Sequence, residues 1–351
     1  MANRANMTID LDKPTLVTGA TGMVGNNLVR HLLETGRTVR VLVRQANKRS
    51  LAGLDVEPYI GDVLQPKTIQ AAMKGVSTVF HLAGAISIDG KHDSNMKRVN
   101  IEGTANVAAA CRNAGVQRMV HFSSIHALSF HPKNLPIDES RDLALDQREH
   151  LAYDLSKAES ERKVLVETQF GLDAVILNPV GIIGPFDFEP SPAGEFLQQL
   201  IHRQLPGLVK AGYFWVDVRD VGRAAVAAES HGRCGERYIL HSQYATFESI
   251  AGWVQEASGA RPPRLVVPIW VAKIFAPAVV WYSRLRGIRP LVTPESIQII
   301  DCHQNVATEK AVTELGFQPR PIRESIVDAV RWFQEHESNQ SNQCPTDQQS
   351  V

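Results

Sequence analysis

The stretch AYDLSKAE, residues 152–159, sets Tyr153 and Lys157 four positions apart. On a helix that spacing places both side chains on one face, about 6 Å apart along the axis. A phenol of ordinary pKa near 10 is a poor base at neutral pH, and an ammonium beside it favours the phenolate. Such a pair can move a proton to or from a reacting oxygen. HFSSIHAL, residues 121–128, supplies Ser124, whose hydroxyl can donate to a substrate carbonyl or alkoxide. His126 follows two positions later, and imidazole titrates near neutrality. A place in a pocket wall or on the surface is nevertheless the simpler expectation for it, and His121, inside the apolar run, is expected only to pack. YxxxK alone is common on helix surfaces, so the elements around it must decide.

The first of those elements is LVTGATGMVG, residues 16–25. Gly19, Gly22 and Gly25 stand three apart after a short apolar strand and open a helical pattern. A phosphate needs backbone N–H groups aimed at it, no Cβ in the way, and a helix N-terminus behind it. Gly19 is expected to make the turn, Gly22 to admit a pyrophosphate, and Gly25 to let helix and strand pack closely, with Thr21, Met23 and Val24 in the same cradle. A purely structural turn would also use glycines, but the strand–turn–helix context points to a dinucleotide. At the end of the second strand, VLVRQANKRS carries no carboxylate for a ribose 2′-hydroxyl; Arg44 stands there, with Lys48 and Arg49 close by. A guanidinium can grip a 2′-phosphate in two places. The plainer reading is a solvated basic loop; the reading adopted is NADP(H), with NAD(H) as the alternative. A bound nicotinamide ring would add positive charge beside Tyr153.

Farther out, strand and helix patterns alternate. Apolar runs at 15–18, 78–81, 119–123 and 174–177, and a run at 38–44 that alternates in period two through Val39, Val41 and Val43, are separated by helical patterns near 66–74, 100–114 and 150–169, besides the helix after Gly22. Repeated units of this length imply an α/β fold with a doubly wound parallel sheet. After Asn178 the regularity breaks, and NPVGIIGPFDFEPSPAGEF reads as a long loop. Strands are expected again at 213–218 and 237–240, and helices at 221–230, 247–257 and 322–335. The expected organisation is a flexible tail over 1–12, a dinucleotide-binding domain over 13–184 with strands returning near 213–245, a smaller interleaved C-terminal substrate lobe over 185–335, and a disordered tail over 336–351.

Composition narrows the function. Lys plus Arg and Asp plus Glu both number 37, so no basic field exists to attract nucleic acid. Cys111, Cys234, Cys302 and Cys344 are scattered, with no metal-ligand spacing, which fits reduced thiols in a cytoplasmic protein and no metal site. No signal-peptide pattern opens the chain. The most apolar segment, 265–287, is interrupted by Pro268, Lys273 and Pro277, and falls short of the roughly 20 uninterrupted residues of a spanning helix. A pocket lid or a homodimer contact is expected there, or, with Arg284, Arg286 and Arg289 following, a helix lying on a membrane surface.

Together, TGATGMVG, GDV (61–63), HLAGA (81–85), VNIEGT (99–104), FSS, YDLSK, NPVGIIGP and VDVRDVG (216–222) resemble an extended short-chain dehydrogenase/reductase, a Rossmann-fold family. The resemblance runs from residue 14 to about 240, and the closing ATEKAVTELGFQPRPIRESIVDAVRWF is similar as well. It implies that Tyr153 is the acid/base, that Lys157 binds the nicotinamide ribose and lowers the tyrosine pKa, and that Ser124 orients the substrate oxygen. It also implies that Asp62 and Val63 flank the adenine and that Leu82, Ala83 and Gly84 line the cofactor path. The stretch after Asn178 and Pro179 would hold the nicotinamide carboxamide, with Asn178, Pro179 and Gly181 counted among the cofactor-binding residues. Asn100 is a weaker candidate, since it could serve only to bend its helix. Leu128-Ser129 replace the Tyr-Gly of nucleotide-sugar epimerases, and Ile125-His126 replace the Asp-Glu of sugar dehydratases. The loop after Asn178 is similar to that of dihydroflavonol-reductase-like and 3β-hydroxysteroid-dehydrogenase-like members. An NADP(H)-dependent ketone–alcohol interconversion on a hydrophobic small molecule is therefore expected. The alternatives are a nucleotide-sugar epimerase and a non-catalytic NADP-sensing protein.

Overall fold

The computed structural model describes residues 9–342 apart from 46–48, 87–93, 148–149, 286–292, 294–296, 298–299 and 301–304. Seven strands form one parallel sheet: β1 (Thr15–Thr18), β2 (Val39–Val43), β3 (Glu57–Ile60), β4 (Thr78–His81), β5 (Arg118–Phe122), β6 (Ala174–Pro179) and β10 (Arg237–Leu240). Their spatial order is β10-β6-β5-β4-β1-β2-β3. The chain therefore changes direction between β1 and β4, which pair with Thr18 opposite His81. In such sheets the crevice beyond the carboxyl ends of those two strands is where ligands sit. Helices cover both faces: α1 (Met23–Glu34), α2 (Pro66–Ala72), α4 (Thr104–Ala114), α5 (Ala152–Gln169) and α7 (Val218–His231), with a short α3 (Ser94–Lys97) before α4.

Coverage on both faces explains one difference from expectation. The run 38–44 reads as period-two alternation, but all five residues of β2 are buried. Arg40 stays inside because its guanidinium meets Glu57 at 2.9 Å and the carbonyls of Ala72 and Lys74 at 2.8 Å each. β3 has no counterpart in the expected strands, being short, largely exposed and interrupted by Pro58.

The second lobe is more regular than its Pro- and Gly-rich sequence suggests. The stretch read as a loop after Asn178 holds β7 (Gly181–Ile183) and the start of α6 (Pro192–Ile201), whose N-cap Ser191 accepts from the Gly194 N–H. β7 pairs with β9 (Gly212–Asp217), which pairs with β11 (Gln243–Thr246); β8 (Leu208–Lys210) pairs with β12 (Val266–Pro268). Of the strands expected to return near 213–245, β10 alone joins the main sheet, while β9 and β11 build the small one. Helices α8 (Phe247–Ser258), α9 (Ile269–Leu285), α10 (Glu309–Leu315) and α11 (Ile322–Asn342) complete the lobe.

α11 continues seven residues past its expected end at 335, so 336–342 do not begin a disordered tail. The reason is packing: the His336 ring stacks on Trp332 at 4.7 Å and meets Phe188 edge-on at 5.2 Å. Residues 1–8 and 343–351 of the expected tails lie outside the described residues, as do Lys48, Arg286 and Arg289. On α9, Trp270, Ile274 and Phe275 are exposed. No described helix is long and apolar enough to cross a membrane.

Candidate active site

The glycine turn is shaped as a phosphate cradle. Gly19 has φ +75°, and a Cβ there would lie 2.6 Å from the Ala83 nitrogen, so only glycine allows the turn after β1 to touch the segment after β4. A Cβ on Gly25 would strike the Gly19 carbonyl, whereas one at Gly22 would meet nothing closer than that oxygen, at 3.7 Å. Gly22 is exposed and caps α1 without any side-chain bond, and no acid stands in the first turn. The open position, uncapped helix end and absent carboxylate fit an approaching pyrophosphate. Thr21, Met23 and Val24 are half-buried around it.

The walls come from neighbouring strand ends. Arg44 is exposed just beyond β2, and Arg49 opens a short 3-10 turn over Arg49–Leu51. The Asp62 carboxylate accepts from the Leu64 N–H at 2.9 Å, and buried Val63 packs against Gly103. Beyond β4, the Leu82 and Ala83 N–H groups donate to the backbone and side-chain oxygens of Thr18. Gly84 comes next; a Cβ there would stand 3.3 Å from Asn100 Oδ1 and 3.5 Å from Lys157 Nζ. Asn100, in a π turn over Arg98–Gly103, accepts from the Ala85 N–H and donates to the Ala85 carbonyl and to Ser156 Oγ. It thereby ties the segment after β4 to α5.

α5 carries the proposed chemistry. Tyr153 and Lys157 are both buried on its first turns, and Ser124 caps the 3-10 turn Ile125–Ala127 beside them, accepting from the His126 N–H at 3.3 Å. Burial pushes the Tyr153 phenol above its usual range; a hydrogen bond with Ser124 works against that shift, and the adjoining Asp154 carboxylate adds to it. The expected lowering by Lys157 does not appear, because Nζ turns to the Phe122 carbonyl, at 3.1 Å, and toward Gly84. Burial pulls the ammonium down to about 8, opposed by the charge of Glu161. Beneath it His81 and His121 stack at 5.4 Å, and burial holds both neutral, His81 down to about 3.

The matches to known proteins fit this geometry. The model of the NAD dependent epimerase/dehydratase family matches residues 15–240. The chain belongs to that family. Within it, a putative dihydroflavonol 4-reductase of Synechocystis sp. is 34% identical, covering 91% of this chain and 94% of its own. Sterol demethylase protein B of Methylococcus capsulatus is also 34% identical, covering 92% and 98%. The crystal structure of gox2253 superimposes with a TM-score of 0.79 at 33% identity, covering 92% of this chain and 98% of that one. As a member of the epimerase/dehydratase family, the chain is an enzyme of nicotinamide-dependent chemistry.

Several residues at the site carry no sequence signal of their own. Asp154, 4% exposed, binds His126 Nδ1 through Oδ1 at 3.0 Å and accepts the Leu151 N–H through Oδ2 at 3.0 Å, with His150 Nδ1 3.9 Å away. Burial alone would raise this carboxyl, but the hydrogen bond with His126, helped by the nearby His150 and the Leu151 N–H, brings it well below the usual carboxylate range. His126 Nε2 lies 3.3 Å from the Tyr213 hydroxyl, and its ring stands edge-on to Tyr153 at 5.6 Å. His126 is thus a wall residue with fixed orientation. Asn178 is buried, and its amide donates to the Ser124 carbonyl and to Glu161, so its side chain faces inward. Pro179 ends β6, and Gly181 lies under Tyr213 and Trp215, leaving no room for a side chain.

Proposed function

We propose that this enzyme interconverts a ketone and a secondary alcohol on a hydrophobic small molecule, with NADP(H) as its cofactor and Tyr153 as the acid/base. The observation that carries this reading is the convergence of Ser124 on the Tyr153 phenol, with Lys157 Nζ aimed at the Gly84 edge of the cradle. The cofactor supplies or accepts the hydride. In reduction, burial keeps the phenol protonated at neutral pH. Ser124 Oγ accepts the His126 N–H, leaving its own hydrogen to hold the substrate oxygen. As the carbonyl carbon gains H⁻, Tyr153 passes its proton to that oxygen. The Lys157 ammonium, turned toward the Gly84 edge of the cradle, binds the nicotinamide ribose. Oxidation runs the same path in reverse.

NADP(H) is favoured over NAD(H) by Arg44, exposed at the end of β2 where no carboxylate stands. The apolar substrate class is supported by buried Tyr213 and Trp215 beside the site and by the sterol named in the Methylococcus relative. Purified protein offered NADPH and a panel of cyclic and steroidal ketones should oxidise the cofactor with at least one of them. Tight NADPH binding without turnover on any ketone would make the chain a cofactor sensor. Tight binding of UDP-sugars in a calorimeter would overturn the substrate class.

A further inference from the structure

We propose that Glu161 is a positioning residue of this site, holding Asn178 beneath the Ser124 carbonyl and standing as the fixed counter-charge to Lys157. The inference rests on the reading of Ser124 and Lys157 given above. Tyr153, Lys157 and Glu161 follow one another at four-residue intervals on α5, so they share a helix face. Glu161 is fully buried, and both carboxylate oxygens are engaged. Oε1 accepts from Asn178 Nδ2 at 2.5 Å, and Oε2 accepts from Arg237 Nε of β10 at 2.7 Å. The same Asn178 amide donates to the Ser124 carbonyl at 2.9 Å. A buried carboxylate is costly unless paired and hydrogen-bonded. Here the bonds that satisfy it run straight to the backbone of the residue that holds the substrate oxygen.

Charge completes the case. The titratable groups facing Lys157 are His81 from β4, His121 from β5, and Tyr153 and Glu161 on its own helix, with Arg237 of β10 behind Glu161. The two histidines are held neutral by burial, and burial keeps the phenol protonated. Glu161 therefore opposes the burial that would strip Lys157 of its proton. Without that carboxylate, Lys157 would lose its charge at lower pH, and with it the grip on the ribose.

The test follows dinucleotide affinity by nicotinamide fluorescence from pH 6 to 10 in the full chain, alongside turnover where it is found. In Glu161→Gln the alkaline loss of affinity should move down by roughly one to two pH units, the effect of removing one charge a helical turn away. In Arg237→Gln, which strips the cation behind Glu161, it should move up. Glu161→Asp should restore the wild-type alkaline limb, while kcat stays several-fold low because the shorter arm no longer spans Asn178 and Arg237. A merely structural role would weaken binding at every pH without opposite shifts. Shifts of the same sign, or none, overturn the proposal. If Glu161→Gln does not fold, an unmoved limb in Arg237→Gln overturns it alone. An absence of turnover with these shifts intact would count against the oxidoreductase reading and leave the role of Glu161 standing.

Discussion

Two pairs of histidines flank the N-terminal half of α5, and they are treated in opposite ways. His81 and His121 stack beneath Lys157 with hydroxyl partners only, Thr18 and Thr104 for one and Ser160 for the other. His126 and His150 lie on the far side of Tyr153 and converge on one carboxylate, Asp154. The first pair is neutral because burial penalises charge and nothing compensates it. The second lies beside a buried anion, whose own carboxyl is held well below the usual range. The difference teaches that one carboxylate, placed at the third residue of a helix, gives one side of the site a charged partner that the other side lacks.

The contrast can be broken at its centre. Tyr153→Phe removes the group between the two pairs, and kcat should fall by about 10³-fold or more while NADPH affinity stays nearly intact. Retained turnover would remove the proposed acid/base. Asp154→Asn should erase the asymmetry itself. It takes the charge from beside His126 and weakens the cap at Leu151, so unfolding in denaturant should show a loss of about 2–4 kcal/mol. A loss near zero would mean the pair is electrostatically idle.

The neutral pair gives a pH prediction. His81 has a folded pKa of about 3 against an unfolded value near 6.5, so the unfolded chain binds more protons below pH 6.5. Stability is therefore full above pH 6.5 and falls as pH drops toward 3. By pH 5 this histidine alone should have cost roughly 2 kcal/mol, with His121 adding in the same direction. Melting curves at pH 7 and pH 5 check it, and His81→Gln should flatten the difference. Smallest in effect is Arg44→Asp, far from both pairs. It should lower the preference for NADPH over NADH by about tenfold or more, since a lost charge-assisted bond is worth about 1.5–3 kcal/mol. An unchanged ratio would leave Arg44 as a solvated side chain.

What could be read from the sequence was whatever a short window contains. Gly19, Gly22 and Gly25 state a turn by their spacing, and Tyr153 and Lys157 state a shared helix face. Strands buried on both sides are apolar runs. The Asp154 contact to His126 spans 28 positions, and the Glu161 contacts to Asn178 and Arg237 span 17 and 76, so no local pattern announces them. β7 was hidden because a three-residue strand between Val180 and Gly184 looks like loop. The last turns of α11 are hidden because a polar run masks the two ring contacts of His336, with Trp332 and with Phe188. Lys157 shows the limit of spacing as evidence: four residues put it on the face of Tyr153, but the Phe122 carbonyl settles where the ammonium goes.

Gly19 and Arg44 differ in how freely they can be altered. The first is wedged against the Ala83 backbone, so any side chain there would displace two loops at once. The second stands in solvent at the sheet's rim. If Arg44→Asp moves the NADPH/NADH ratio, dinucleotide preference is separable from dinucleotide binding, and an engineer could retune one by exchanging rim residues while the hinge of the cradle stays untouched.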